Sequence, residues 1–206
     1  MKETFDEDYF ERGIETGKSL YTNYRWEPEL TIPMAMTYVD HLPLGRFDNI
    51  LDFGCAKGFV VKALRLLNRN AWGCDISNYA IKNADPSVKD YVRHCNGKLP
   101  FDEKFEWVIA KDVFEHIKED DLNRLLIHLR PLAKQMFVIV PLGKDDKYIV
   151  PAYHLDKTHK LAKTVGWWEN HFVLAGWYVK QFEYRVRGIK DNWELYREGN
   201  GFFIVK

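Results

Sequence analysis

An α/β fold built on a single sheet is what this sequence predicts, and three observations predict it. From about residue 49 onward, short apolar runs of strand character alternate with segments whose apolar residues recur at helical spacing. The 206 residues suffice for one good core, because a chain of this size buries most of the apolar surface that its unfolded form exposes. Hydrophobic residues make up 46% of the chain and aromatics 15%, with seven tryptophans, which excludes a disordered or low-complexity protein.

The elements follow in order. Asn49 to Gly54 (NILDFG) forms a first buried strand, and Phe59 to Leu67 (FVVKALRLL) carries apolar residues at helical spacing. Ala71 to Ile76 (AWGCDI) is the second strand, and the helix after it begins near Ser77, whose hydroxyl can cap it. Lys89 to His94 reads as a short third strand and Phe105 to Asp112 as the fourth. A helix from about Asp120 to Arg130 ends at Pro131, and Gln135 to Gly143 makes a fifth strand stopped by Pro141. Lys144 to Lys163 is polar, has no clear period and holds His154, Asp156 and His159 close together; a loop of that length in a compact domain usually serves function. A helix from near Thr164 then carries Trp167, Trp168 and Phe172, and two late strands, around Tyr178 to Arg185 and Gly201 to Val205, flank a long connection. The first 45 residues, with Tyr21, Tyr24 and Trp26, are too few for a core of their own. They read as a helical cap, residues 1–45, on a sheet core of residues 46–206, within one domain.

Thirty basic and thirty acidic residues cancel without forming blocks, so there is no electrostatic reason to expect nucleic acid or an anionic membrane as partner. The start, MKETFDEDYF, is acidic and lacks an apolar leader core, and no apolar run reaches bilayer length; the expectation is a soluble cytoplasmic protein. Cys55, Cys74 and Cys95 match neither a paired-cysteine zinc site nor a disulfide framework, and read as small buried thiols.

The stretch LDFGCAKGF, Leu51 to Phe59, carries the chemistry. A strand that feeds a turn of small residues and then a helix presents backbone N–H groups at a helix N-terminus, with no side chain blocking a ligand. The small residues here are Gly54, Ala56 and Gly58, a GxGxG spacing rather than the GxGxxG of dinucleotide sites, and the lysine and hydroxyl of a phosphate-binding loop are missing. Asp75 ends the second strand about 20 residues after the loop, where a carboxylate can take both hydroxyls of an adenosine ribose. Loop and acid together favour an adenosine-containing ligand.

At this point the chain resembles the class I S-adenosylmethionine-dependent methyltransferases, over about residues 48 to 206. ILDFGCAKG resembles their first motif, GCDIS their second, VIAKDVFEHI (Val108 to Ile117) the segment after the fourth strand, FVIVPLG the fifth strand, and LAGW near residue 176 the turn before the sixth. The resemblance implies a doubly wound, mostly parallel seven-stranded sheet in the order 3-2-1-4-5-7-6 with the last strand antiparallel. It implies S-adenosylmethionine as cofactor and S-adenosylhomocysteine as product. Asp52 and the backbone of Gly54, Cys55, Ala56 and Gly58 would line the methionine and ribose part, Asp75 would hold the ribose hydroxyls, and Ile76 would pack on adenine. The acid that usually meets the adenine amino group is replaced near Cys95 and Asn96. Lys111 and Asp112, with Tyr21 and Tyr24 from the cap, complete the cofactor-binding candidates, while Trp168 is expected in the core. Ala56 is tolerated if its φ is negative, since a methylsulfonium cofactor presses no pyrophosphate on the loop.

For acceptor chemistry the first candidate base is His159, the second His154, with Asp156 as orienting acid, because imidazole titrates near neutrality. Glu115 and His116 read as a helix start that packs below the cofactor. His154, Asp156 and His159 are ligand types, but loosely spaced, and no metal is expected. KDVFEH stands where DNA amino-methyltransferases resemble one another in a [DNS]-P-P-[YFW] segment, and there is no Pro-Cys pair, so a small molecule or sugar precursor is the expected acceptor. The rival is a non-catalytic binding or partner subunit that keeps the fold.

Overall fold

The computed structural model describes residues 4–96 and 98–206. Its larger sheet has seven strands: β1 (Asn49–Phe53), β2 (Asn70–Asp75), β3 (Val92–His94), β4 (Phe105–Lys111), β5 (Ala133–Pro141), β8 (Val179–Glu183) and β9 (Asn200–Val205). Their order is β3-β2-β1-β4-β5-β9-β8. The two strands missing from that numbering, β6 (Gly143–Lys144) and β7 (Lys147–Tyr148), form a separate antiparallel hairpin. With the hairpin set aside the order is the expected 3-2-1-4-5-7-6, and the last strand runs antiparallel to both its neighbours.

The chain divides into two compact parts. The first contains the residues up to Glu103 together with Leu155–Thr158. Here β1 pairs in parallel with β2, Asp52 opposite Gly73, and β2 with β3. The connecting helix α4 (Phe59–Leu66) buries Phe59 with Ala63 four residues on and Val61 with Leu64 three residues on. Helix α5 (Asn78–Lys82) starts where expected, the Ser77 hydroxyl accepting from the Ala80 N–H at 2.9 Å. Three helices precede the sheet, α1 (Glu7–Glu11), α2 (Gly13–Thr16) and α3 (Pro28–His41). Tyr9 and Phe10 of α1 pack with Ala80, and the Ser77 hydroxyl donates to the Phe5 carbonyl at 2.6 Å.

The second part holds residues 104–154 and 159–206. Met136, Phe137, Val138, Ile139 and Val140 are all fully buried, which is why β5 reads as an unbroken apolar run rather than an alternating one. Each such side chain contributes about 1.5–3 kcal/mol of burial energy. Helix α6 (Glu119–Leu129) and helix α7 (Val165–Leu174) bury Leu122, Leu126 and Leu129, and Trp168, His171 and Phe172. Trp168 is 0% exposed, a core residue as expected. Trp177, after the Gly176 turn at φ +84°, is buried and donates its indole N–H to the Leu126 carbonyl at 3.0 Å.

Two expectations need correction. Only Val92–His94 of the third strand is extended, because Lys89–Tyr91 coil into a 3-10 turn with no buried side chain to fix them on the sheet. The stretch 144–163 is also more ordered than its lack of period suggests. It opens with the β6–β7 hairpin, whose turn residues Asp145 and Asp146 have φ of +51° and +55°, and continues as a 3-10 turn over Pro151–Leu155. Cys55 and Cys74 are buried and Cys95 half-buried, all three as thiols. No helix among the described residues is long and apolar enough to cross a membrane.

Candidate functional site

In the first part, β1 runs into the loop Gly54–Gly58. Gly54 and Cys55 donate to the Cys74 carbonyl at 2.8 and 3.0 Å, so the loop folds back over the end of β2. Gly54 and Gly58 have φ of +82° and +79°, where glycine is at ease. Gly58 is also the N-cap of α4, and a Cβ there would stand 3.0 Å from Val92 Cγ1 and 3.1 Å from Val88 Cγ2. We expect Gly58→Ala to lower the free energy of unfolding by about 1–3 kcal/mol in a denaturant titration, from left-handed strain plus crowding.

Ala56 departs from its expected conformation. Its φ is +48°, in the left-handed region rather than negative. An L-residue there costs about 1–2 kcal/mol. Two contacts hold it: its N–H donates to Asp75 Oδ2 at 2.7 Å, and its methyl group packs against the Tyr9, Phe10 and Ala80 cluster. The loop thus keeps its glycine-like shape with an alanine in the middle.

Asp75 is buried at the end of β2 and organises this region. Its second oxygen accepts from the Ser77 N–H at 2.7 Å. Asp52, also buried, is the last but one residue of β1. Ile76 is 56% exposed, Asn96 is exposed, and Cys55 is buried in the turn.

Aromatic residues of the cap gather at the same loop. Tyr24 lies 5.0 Å from Tyr21 and 5.2 Å from Phe59 between ring centroids. Lys57, within the loop, donates to Glu11 Oε1 at 2.6 Å and to the Tyr24 carbonyl at 2.8 Å, tying cap to loop. Burial, then Tyr21, Asp52 and Asp75, push the Tyr24 phenol well above its ordinary pKa, so it remains a neutral hydrogen-bond donor. Asp156, one of the sequence candidates, also belongs to this part. Its Oδ2 accepts from the Tyr9 hydroxyl at 3.0 Å, and its Oδ1 from the Thr158 N–H at 2.9 Å and hydroxyl at 2.6 Å. Its carboxylate therefore anchors the chain at 156–158 to α1.

The second part gathers a different set. Asp112 follows β4 with φ +54° and accepts from Lys111 Nζ and Lys190 Nζ, both at 2.5 Å. Burial alone would raise its pKa, but the two ammonium groups outweigh that and hold it well below the usual carboxylate range. Such a depressed folded-state pKa adds stability above the ordinary value of about 3.9, and the contribution disappears as pH falls below it. Asp112→Asn should therefore unfold about 1–3 kcal/mol more easily at pH 7, and the difference from wild type should shrink in acid titrations.

Glu115 and His116 sit in the 3-10 turn Phe114–His116. The Glu115 carbonyl accepts from Lys160 N at 2.8 Å and Leu161 N at 3.1 Å, which brings the residue before them, His159, to this turn. His159 Nε2 lies 4.0 Å from Glu115 Oε1, and its ring meets that of His116 with centroids 4.6 Å apart. Burial, then Asp112, push the Glu115 carboxyl well above its ordinary pKa. Tyr148 and Tyr153 flank the His159 ring at 5.1 and 6.1 Å. His154 is exposed, and its Nε2 accepts from the Tyr148 N–H at 3.1 Å, which fixes the other ring nitrogen as the protonated one in the neutral state.

Spacing groups His159 with His154 and Asp156; the fold gives His159 the acid Glu115 as a close neighbour. Lys190 was not a sequence candidate. It lies in the long connection between β8 and β9, one of several basic residues there, and its pairing with Asp112 has no local signature.

Residues 51–135 match the family model described as a methyltransferase domain. None of the curated proteins matches the chain in sequence. Among solved structures, it resembles an S-adenosylmethionine-dependent methyltransferase from Clostridium acetobutylicum at 13% identity, over 87% of this chain and 92% of that one, with a TM-score of 0.62. It is similar to a SAM-dependent methyltransferase from Archaeoglobus fulgidus at 18% identity, over 84% and 92%, with a TM-score of 0.64. The glycopeptide N-methyltransferase MtfA, solved with sinefungin, aligns at 10% identity over 92% and 90%, with a TM-score of 0.65. At these identities the likeness is one of fold.

Proposed function

We propose that this chain is an S-adenosylmethionine-dependent methyltransferase, a single catalytic domain acting on a hydroxyl, or an amine, of a small molecule or a sugar or glycan precursor. The observation that carries the reading is the pairing of the Gly54–Gly58 loop with Asp75, which engages that loop through the Ala56 N–H at 2.7 Å. The methyltransferase-family match over residues 51–135 covers both.

In this reading the first part of the chain holds the cofactor. Asp75 takes the ribose hydroxyls, Asp52 and the backbone of Gly54, Cys55, Ala56 and Gly58 line the methionine and ribose part, and Ile76 packs on adenine. Asn96 stands where an acid would meet the adenine amino group. Tyr24 and Tyr21 cover the sulfonium end, where aromatic faces suit a cation. Lys111 and Asp112 complete the cofactor set from the end of β4. The cofactor supplies an activated methyl group, so the protein's task is to align the acceptor and exclude water, an effect worth about 7–11 kcal/mol in the best aligned cases.

The groups that would handle the acceptor are in the second part, where His159 is the first choice and Glu115 its neighbouring acid. His154 and Asp156 take supporting roles, the one bracing Tyr148 and the other tying 156–158 to Tyr9. Balanced charge favours a neutral or mixed acceptor over nucleic acid. A fold neighbour named for glycopeptide N-methylation is in keeping with a glycan-bearing acceptor.

The test is transfer of label from methyl-labelled S-adenosylmethionine into a panel of small hydroxyl and amine compounds and sugar nucleotides, read by mass spectrometry beside S-adenosylhomocysteine formation. Labelled low-mass product that disappears in Asp75→Ala supports the reading. Cofactor binding with no transfer to any member of the panel favours a non-catalytic partner subunit.

A further inference from the structure

Glu115 is only 1% exposed, and neither of its carboxylate oxygens has a hydrogen-bond partner. A carboxylate so placed is costly unless a cation or a donor meets it. What stands near it is a pair of imidazoles. One ligand atom from each of Glu115, His116 and His159 lies within 4.8 Å of the others, the one such trio among the described residues. Around a tetrahedral ion with bonds of about 2.0–2.2 Å the ligand atoms stand about 3.3–3.5 Å apart, a contraction that side-chain torsions can supply.

We propose that Glu115, His116 and His159 form a binding site for one divalent transition-metal cation, with zinc as the reference ion. Two imidazoles and a carboxylate suit zinc or ferrous iron, whereas magnesium and calcium call for oxygen ligands throughout. Three protein ligands leave a coordination position open, the pattern of a catalytic rather than a structural site. The ion gives the buried Glu115 its missing partner. Asp112 stays outside the set because Lys111 and Lys190 already hold it. An oxygen entering the open position would be polarised and its proton released more easily. His159 and Glu115 are also the groups that the methyl-transfer reading gives to the acceptor, but the test below uses the metal alone, so its outcome is separate from that of the cofactor and transfer assays.

Untagged protein, stripped with a chelator and desalted, is titrated with Zn²⁺ by calorimetry and with Co²⁺ while visible absorption is followed. The expected result is saturation at one Zn²⁺ per chain and cobalt bands of a low-symmetry nitrogen and oxygen site. Glu115→Gln and His159→Ala should each weaken zinc binding at least about 100-fold, more than the loss of an outer-shell group costs, while exposed His128→Asn leaves it unchanged. Thermal unfolding of each variant checks that it is folded, and Glu115→Gln keeps both size and shape. Absence of saturable binding by the wild type, or equal zinc binding by wild type and Glu115→Gln, would overturn the proposal.

Discussion

Asp75→Ala should lower the affinity for S-adenosylmethionine by about 10²–10⁴-fold. Two hydrogen bonds from the ribose hydroxyls to a charged acceptor contribute about 1.5–3 kcal/mol each, and each 1.4 kcal/mol is a factor of about ten. The same carboxylate also accepts from the Ala56 and Ser77 N–H groups, so the alanine variant loses loop anchorage together with the ligand contact. Asp75→Asn helps to separate the two effects, because the amide keeps one acceptor oxygen and the shape of the side chain. Calorimetry on both variants, with thermal unfolding in parallel, checks the expectation. An unchanged dissociation constant in a folded Asp75→Ala protein would remove Asp75 from the site.

The second large effect is on turnover. His159→Ala should reduce kcat by about 10²–10⁴-fold, the usual contribution of a positioned proton-transfer group, while the dissociation constant for S-adenosylmethionine stays within about twofold. The expectation rests on the proposed reading, in which His159, beside Glu115, takes the acceptor's proton. Single-turnover kinetics read the step directly. A parallel rise in cofactor dissociation constant would assign His159 to shaping the fold or the cofactor pocket instead.

The sheet was legible because its physics is local. Strands such as Met136–Val140 are buried on both faces and so are apolar without interruption, and the turns between elements announce themselves by Gly54, Gly58, Ser77 and Pro131. The strand order was not local information, and it came from resemblance in the motifs. The third strand is shorter than its sequence suggests because Val92 alone is anchored by burial and Lys89–Tyr91 form a 3-10 turn. The β6–β7 hairpin was hidden because its turn uses Asp145 and Asp146 at positive φ instead of the asparagine-glycine pair that signals such turns. Its Gly143 has a steric cause, since a Cβ would meet the Ala162 backbone at 2.4 Å.

The meeting of the loop and Asp75 was readable because a glycine-spaced loop and an acid at the next strand end are announced by their spacing. Ala56 shows the limit of that reading. Side-chain size allowed it, but only the Asp75 and Tyr9 contacts explain how it keeps φ at +48°. The cluster of Glu115, His116 and His159 was less legible for a different reason. Glu115 looks in sequence like an ordinary helix-start acid, and nothing local reveals that the carboxylate is buried or that the chain returns to bring His159 beside it. Likewise, Asp156 looked like a partner for a histidine and turns out to bind Tyr9 and Thr158.

The most direct test of the central claim is calorimetric titration of the wild-type protein with S-adenosylmethionine, S-adenosylhomocysteine and NAD. The account predicts saturable one-to-one binding of both sulfur ligands and none of NAD, since the loop lacks the GxGxxG spacing that a pyrophosphate needs. Binding of NAD in their place, or of none of the three, would contradict it.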